Sequence, residues 1–311
     1  MDKKIDIRQL NLEELTSKLT DLGEKPFRAK QIHEWLWKKR ATSFDQMTNL
    51  SLSLRKTIED NFIINAIQLT EAQKSNDKTI KNAFLLADSS VVEGVLIPTK
   101  KRMTACVSVQ VGCSLDCAFC ATGKLKRVRN LNPDEIYDQV VMISQQSKNE
   151  YDIPLSNIVF MGMGEPLLNY KNVISSIDKI TSKDGLGMSP KRITVSTAGI
   201  ANRIIRLADD EVKFNLALSL HAANDQKRNK IMPINESNSL EVLKKAMIYF
   251  FNKTQTRPTL EYIIFKDFND EIKDAEELAE FCLSFPSKVN IIEYNPIDVD
   301  KYQQADEAKV D

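Results

Sequence analysis

From Ala105 onward the chain alternates short, β-branched apolar runs with amphipathic stretches, and few folds absorb that pattern. Six such runs stand out: "ACVSVQV", "NIVFMGM", "RITVSTA", "NLALSLH", "TLEYIIF" and "VNIIEYN". A run that is apolar on both faces must be covered on both faces, as in a parallel sheet whose strands are joined by crossover helices. Helix signals fall between the runs. In "NPDEIYDQVVMI", Asn132 is placed to cap, Pro133 to take the first helical position and Glu135 to close a capping box. The fold class is therefore α/β. Six strands fall short of a closed eightfold barrel, so an open partial barrel and a doubly wound sheet both satisfy the count. In either, ligands gather at the carboxyl ends of the strands. Those ends are polar or glycine-rich here: Gly112, the Gly162 to Glu165 turn, Ser196 with Thr197, Ser219 to His221, and Asn295.

Residues 1–65 read as a small helical domain. Asn11 can cap a helix whose Leu12, Leu15, Leu19 and Leu22 share a face, and Gly23 stops it. "KPFRAKQIHEWLWKKR" and "LSLRKTIEDNF" supply two more helices. Over residues 66–104, "KTIKNAFLL" and "VVEGVLIP" form a hairpin that turns at Ala87 to Ser90 and leads into the barrel of residues 105–311. Lys plus Arg (43) balance Asp plus Glu (43), so a polyanion partner has to be met by a local patch. The start lacks the apolar centre of a secretion signal, and no run approaches the ~18 apolar residues of a membrane span. These features place the chain in the cytoplasm, as a monomer with no membrane partner.

Three of the five cysteines, Cys113, Cys117 and Cys120, share one loop in the spacing C-x3-C-x2-C. Clustered thiols in a cytosolic chain argue for metal or redox chemistry over a disulfide framework. Structural zinc would need a fourth ligand from Cys106, Cys282, His33 or His221. A [4Fe–4S] cluster held by three thiolates would instead keep one iron open to a small molecule.

That spacing, with Phe119 before the last cysteine, resembles the cluster motif of the radical S-adenosylmethionine enzymes. The wider strings "VSVQVGCSLDCAFCATG", "MGMGEPLLNY", "RITVSTAGI", "LALSLHAANDQKRNKIMPIN" and "EYNP" are similar to the RlmN-type family. The similarity runs from "FRAKQIHEWLW" to "EYNP". It implies a partial (β/α)6 barrel behind an N-terminal RNA-binding domain, and methylation of carbon 2 of an adenosine in 23S rRNA and in tRNA. It implies a [4Fe–4S] cluster on Cys113, Cys117 and Cys120, and S-adenosylmethionine held by Gly164, Glu165, Ser196, Ser219, Leu220, His221 and Asn295. Glu93 would accept a proton, and Cys106 would resolve an enzyme–RNA adduct by a disulfide to a methyl-carrying cysteine. Electrons would come from an external donor of the flavodoxin type. Relatives that methylate carbon 8 share every motif quoted.

The methyl-carrying cysteine of the family lies past the "EYNP" strand, and no cysteine follows Cys282. Cys282 shares a helical apolar face with Leu278, Phe281 and Phe285 and is not its equivalent. The expectation is a C-terminally truncated chain, able to bind cluster and cofactor but impaired in methyl transfer. Candidate RNA contacts are Lys124, Lys126, Arg127 and Arg129 after the cysteines and Lys100, Lys101 and Arg102 before Cys106, with Lys38, Lys39 and Arg40 beside Trp35 and Trp37. The rival from another class is a non-catalytic, zinc-stabilised RNA-binding protein.

Overall fold

Asn11 Oδ1 accepts the Glu14 N–H at 2.9 Å and the Glu14 carboxylate accepts the Asn11 N–H at 2.8 Å, the capping box that starts the first helix. The structure is a computed structural model describing residues 4–297 and 302–310. It opens with a short strand β1 (Ile5–Asp6), followed by α1 (Leu12–Asp21), α2 (Phe27–Trp37) and α3 (Leu52–Asn61). The three helices bury Leu15 and Leu19, Ala29, Ile32 and Leu36, and Leu54 and Ile58, each set recurring at helical spacing. Strand β2 (Phe62–Ile63) returns to pair parallel with β1.

Next comes an antiparallel meander of β3 (Gln68–Lys74), β4 (Ile80–Leu85) and β5 (Val91–Pro98). β4 and β5 are the expected hairpin, with Leu85 opposite Val91 and Ile80 opposite Leu96. β3 extends it to three strands. Every residue of β3 is exposed, so no apolar alternation marks it in the sequence. Strand β6 (Met103–Cys106) follows the meander.

By internal packing the chain forms two units. The first takes in residues 1–105, 131–156 and 171–189, and thereby the helix α4 (Pro133–Tyr151) and nearly all of α5 (Tyr170–Thr181). Its core includes Trp37 edge-on to Tyr137 at 5.2 Å, with the Tyr137 hydroxyl donating to Trp37 O at 2.5 Å. Packing and motif order cut the chain differently, because α4 and α5 follow barrel strands in sequence yet gather with the N-terminal helices in this unit.

The second unit takes in residues 106–130, 157–170 and 190–311. A short antiparallel pair, β7 (Gln110–Val111) and β8 (Arg129–Asn130), closes the base of the cysteine loop. Then come β9 (Asn157–Phe160), β10 (Ile193–Thr197), β11 (Asn215–Ser219), β12 (Thr259–Ile264) and β13 (Lys288–Glu293), each parallel to the one before it. Val107 continues the first run beside β9, its N–H donating to Val159 O at 3.0 Å. Because every new strand adds on the same side, the order never reverses, as it must in a doubly wound sheet. The partial barrel is the arrangement that forms. Its connections are α6 (Ala201–Asp209), α7 (Asp225–Ile231), α8 (Leu240–Thr254) and α9 (Ile272–Cys282), and a last turn, α10 (Glu307–Val310), ends the described chain. Helix α6 buries Ala201, Ile204, Leu207 and Ala208, the stripe its sequence encodes.

Candidate active site

The cysteine loop is held by its backbone from several directions. Cys113 N–H donates to Leu125 O at 3.1 Å, Cys120 N–H to Cys117 O at 3.2 Å, and Ala118 N–H to Ile231 O, at the end of α7, at 2.9 Å. All three thiols open onto one cavity of about 240 Å³ at the strand ends, walled also by Leu115, Phe119, Phe160 and Met232. Burial raises the Cys113 thiol and pushes Cys117 up to about 12, so both hold their protons until a metal displaces them. Among the described residues, no three His, Cys, Asp or Glu side chains converge tightly enough to hold a single metal ion. The donor set is three thiols around shared space. Cys106 and Cys282 do not line the cavity, and the Nδ1 of His221 already accepts the Ile263 N–H at 3.1 Å. Three soft ligands without a fourth fit a cubane cluster with one iron left for a chelating ligand.

Glycine at 164 lets the next strand end close on the first. Gly164 adopts φ 93°, and a Cβ there would lie 2.4 Å from the Gln110 side chain. Glu165 follows at once. Its N–H donates to Gln110 Oε1 at 2.9 Å, while its carboxylate accepts from Leu167 N–H at 3.0 Å and Ala198 N–H at 2.8 Å. Burial raises its pKa, and these donors together with Thr197 oppose that rise. The carboxylate thus knits the end of β9 to the end of β10 while facing the cavity. Ser196 and Ser219, on neighbouring strands, bring their hydroxyls within 3.3 Å of each other on the same wall.

His221 is buried and edge-on to Phe119 at 4.8 Å. Burial, with help from the Arg228 charge, drops its pKa to about 3. It is a neutral ring that accepts at Nδ1 and so carries its proton on Nε2, ruling it out as a cation near neutral pH. Leu220 is fully buried and outside the cavity, acting through its backbone: its N–H donates to Glu261 O at 3.0 Å. Asn295 lies just past β13, exposed, and is not among the cavity walls, which Ile292 reaches instead.

Three residues on the cavity wall or bonded to it from behind carry no motif signal strong enough to single them out. Gln110, fully buried, bridges Glu165 and Asn130; its polarity within "ACVSVQV" is the only hint. Glu261, on β12, lines the cavity with its carboxylate accepting from Asn290 at 2.7 Å, and burial raises its pKa. Arg228 of α7 is fully buried, yet in "NDQKRNK" nothing separates it from Lys227 and Lys230. Its guanidinium donates to Leu220 O (3.0 Å), Ala198 O (2.6 Å), Ser219 O (3.1 Å) and Asn235 Oδ1 (2.7 Å). Burial lowers Arg228 to about 10 while the nearby Cys117 and Asp225 pull it back up.

The remaining candidates lie elsewhere. Cys106 is buried at the end of β6, where burial pushes its thiol up to about 11 against a hydrogen bond from the Met161 backbone. Glu93 belongs to β5 in the first unit, half exposed, and meets Lys81 at 3.3 Å. The thiols of all five cysteines are free, so the expected disulfide has no counterpart; Cys106 is enclosed and has no second cysteine bonded to it. Cys282 is half-buried at the end of α9 and lines a shallow surface depression with Arg257 and Pro286.

Comparison with known proteins matches this geometry to a family. Residues 5–64 match the ribosomal RNA large subunit methyltransferase N-terminal domain, and residues 107–282 match the radical SAM superfamily. A protein of Christiangramia forsetii named "Probable dual-specificity RNA methyltransferase RlmN" is 59% identical over 304 residues, covering 98% of this chain and 86% of that one. The chain belongs to the RlmN family. A second relative of the same name, from Cytophaga hutchinsonii, is 56% identical over 310 residues, with 97% of this chain and 85% of that one covered. A radical SAM methyltransferase from Sphaerobacter thermophilus superposes with a TM-score of 0.92 at 34% identity, over 98% of this chain and 90% of that one. The partial barrel is therefore the radical SAM fold, and the cofactors of an RlmN-family chain are a [4Fe–4S] cluster and S-adenosylmethionine. Among the described residues no helix is long and apolar enough to cross a membrane.

Proposed function

We propose that this chain carries the cluster, cofactor and resolving residues for methylation of carbon 2 of an adenosine in 23S rRNA, and in tRNA, through a methyl-cysteine relay whose methyl-carrying thiol is none of its five cysteines, so that by itself it is impaired in methyl transfer; it acts in the cytoplasm as a monomer. What carries the reading is the convergence of three cluster thiols, the Gly164–Glu165 turn and the paired Ser196 and Ser219 on one cavity. When bound, the cluster supplies the single electron that breaks a sulfonium carbon–sulfur bond. The chain's own residues do the rest. Cys113, Cys117 and Cys120 would hold the cluster; Glu165 would offer its remaining lone pairs to an ammonium, and the serine hydroxyls would take up polar groups of the same cofactor. Leu115, Phe119, Phe160 and Met232 keep water from a reactive carbon centre. Residues 1–65, the meander and Lys100, Lys101 and Arg102 form the RNA-holding part, whose cations supply a salt-dependent affinity.

Cys106 and Glu93 are assigned to product release, Cys106 as the resolving thiol and Glu93 as the proton acceptor. A thiol held near 11 is a poor nucleophile at neutral pH, so Cys106 must first yield its proton. Where the methyl-carrying thiol is supplied by a relative's C-terminal segment, Cys106→Ser is expected to keep the cluster and S-adenosylmethionine cleavage while product release drops by at least about 100-fold. The reading as a whole is tested by mass analysis of adenosines in ribosomal RNA from cells lacking their own enzyme and supplied with this chain, alone or joined to the cysteine-bearing C-terminal segment of a relative. Formation of 2-methyladenosine by the joined form, with little or none from this chain alone, supports it; 8-methyladenosine, or no methylated adenosine from the joined form, overturns it.

A further inference from the structure

Residues 124–128, Lys-Leu-Lys-Arg-Val, set two aliphatic side chains among three cations, with Leu125 52% and Val128 70% exposed. This segment is not a loose tether. Leu125 O accepts the Cys113 N–H at 3.1 Å, and Val128 N–H donates to Val111 O at 2.8 Å. Gly112, at φ 73°, brings the backbone so close that a Cβ there would lie 2.2 Å from Lys126 O. The patch is thus fastened on both sides of the first cluster thiol.

Its chemistry discriminates between partners. RNA phosphates are met by cations, and unstacked bases by aromatic rings or guanidinium planes; leucine and valine serve neither purpose. A protein interface has an apolar centre and a charged rim, and the sign of the rim selects the partner. We propose that residues 124–128 are the docking face for an acidic, low-potential one-electron carrier protein that reduces the cluster. This rests on the cavity being a site of S-adenosylmethionine cleavage, because each cleavage draws one electron from outside the chain. With a flavin donor, the hydroquinone anion loses one electron and becomes the neutral semiquinone. The cluster gains that electron, passing from the 2+ to the 1+ state, and no proton moves. The basic rim also offsets the repulsion an acidic carrier would feel from a cluster bearing three thiolates.

Two double variants test the assignment in the reconstituted full chain: Leu125→Glu with Val128→Glu, and Lys124→Glu with Lys126→Glu. Photoreduced flavodoxin is the probe, and its oxidation is followed by semiquinone absorbance in stopped flow. Both variants are expected to slow that electron transfer by roughly tenfold or more, with the parent rate falling as salt rises and the lysine variant losing that dependence. The electron paramagnetic resonance signal of the dithionite-reduced cluster, and affinity for a ribosomal RNA fragment, are expected to stay at parent levels. Unchanged transfer from flavodoxin overturns the proposal, and a tenfold loss of RNA affinity alongside it gives the patch to RNA. A parent protein that dithionite cannot reduce removes the cluster reading itself and the docking proposal with it.

Discussion

Among the described residues, Arg228 has no carboxylate within hydrogen-bond reach of its guanidinium, which is fully buried and fastens three strand-end carbonyls. A buried cation with no directly bonded anion is costly; Asp225 offsets part of that cost, and the negative charge a cluster would bring beside Cys117 would offset more. Arg228→Met removes a donor from the carbonyls of Ala198, Ser219 and Leu220, of which Leu220 O keeps the Ala222 N–H at 2.7 Å, and should cost about 2–4 kcal/mol, read from urea midpoints, with a marked drop in iron retained per chain. Arg228→Lys should recover part of both. A methionine variant with parental stability would show that the carbonyls find other donors. Gly164→Ala is a sharper lesion, because it combines a backbone at φ 93° with a contact of 2.4 Å against Gln110. It displaces Glu165 and is expected to weaken S-adenosylmethionine binding by at least roughly tenfold, measured by calorimetry on reconstituted protein. Binding at the parent value would mean the turn is not part of the cofactor site.

At the level of elements, α4 carries a buried electrostatic knot. Arg8 meets Asp134 at 3.2 Å and Asp138 at 2.8 Å, with Asp6 at 3.5 Å. One cation faces three carboxylates. Burial pushes Asp134 up to about 7 although Arg8 pulls it down, and among the described residues Asp134 Oδ1 has no hydrogen-bond partner. The folded pKa lies above the unfolded value of about 3.9. Between the two, the folded chain keeps a proton the unfolded chain has lost, so this group's contribution to stability falls as pH rises from about 4 to about 7. Asp134→Asn removes that loss. Its stability relative to the parent should improve by roughly 1–2 kcal/mol between pH 5 and pH 8 in urea titrations; a parent that gains stability against the variant over that range contradicts the assignment. Sequence legibility varied along these same elements. The helices α1 and α4 were legible because Asn11 and Asn132 announce their starts, and the parallel strands because their runs are rich in apolar and β-branched residues, although β13 is exposed at every residue but Ile292. β3 was not, since a wholly exposed strand leaves no periodic trace. Within the site, spacing exposed the three cysteines, and strand-end position exposed Glu165, Ser196 and Ser219. Arg228 stayed hidden because burial of one cation in a polar helix is decided by tertiary packing, and Asn295 shows that a strand-end position alone does not put a side chain on the cavity.

For the molecule as a whole, the balanced charge leaves recognition to local surfaces, and the barrel gathers residues far apart in sequence onto one cavity. RNA affinity should therefore depend on salt through a few cations and not through a global field. Everything chemical follows from three thiols holding a cluster with one iron open. The most direct measurement is anaerobic reconstitution followed by iron and sulfide analysis, then reduction with dithionite in the presence of S-adenosylmethionine. About four irons and about four sulfides per chain, with 5′-deoxyadenosine released, is the predicted result. One zinc per chain and no 5′-deoxyadenosine would contradict it.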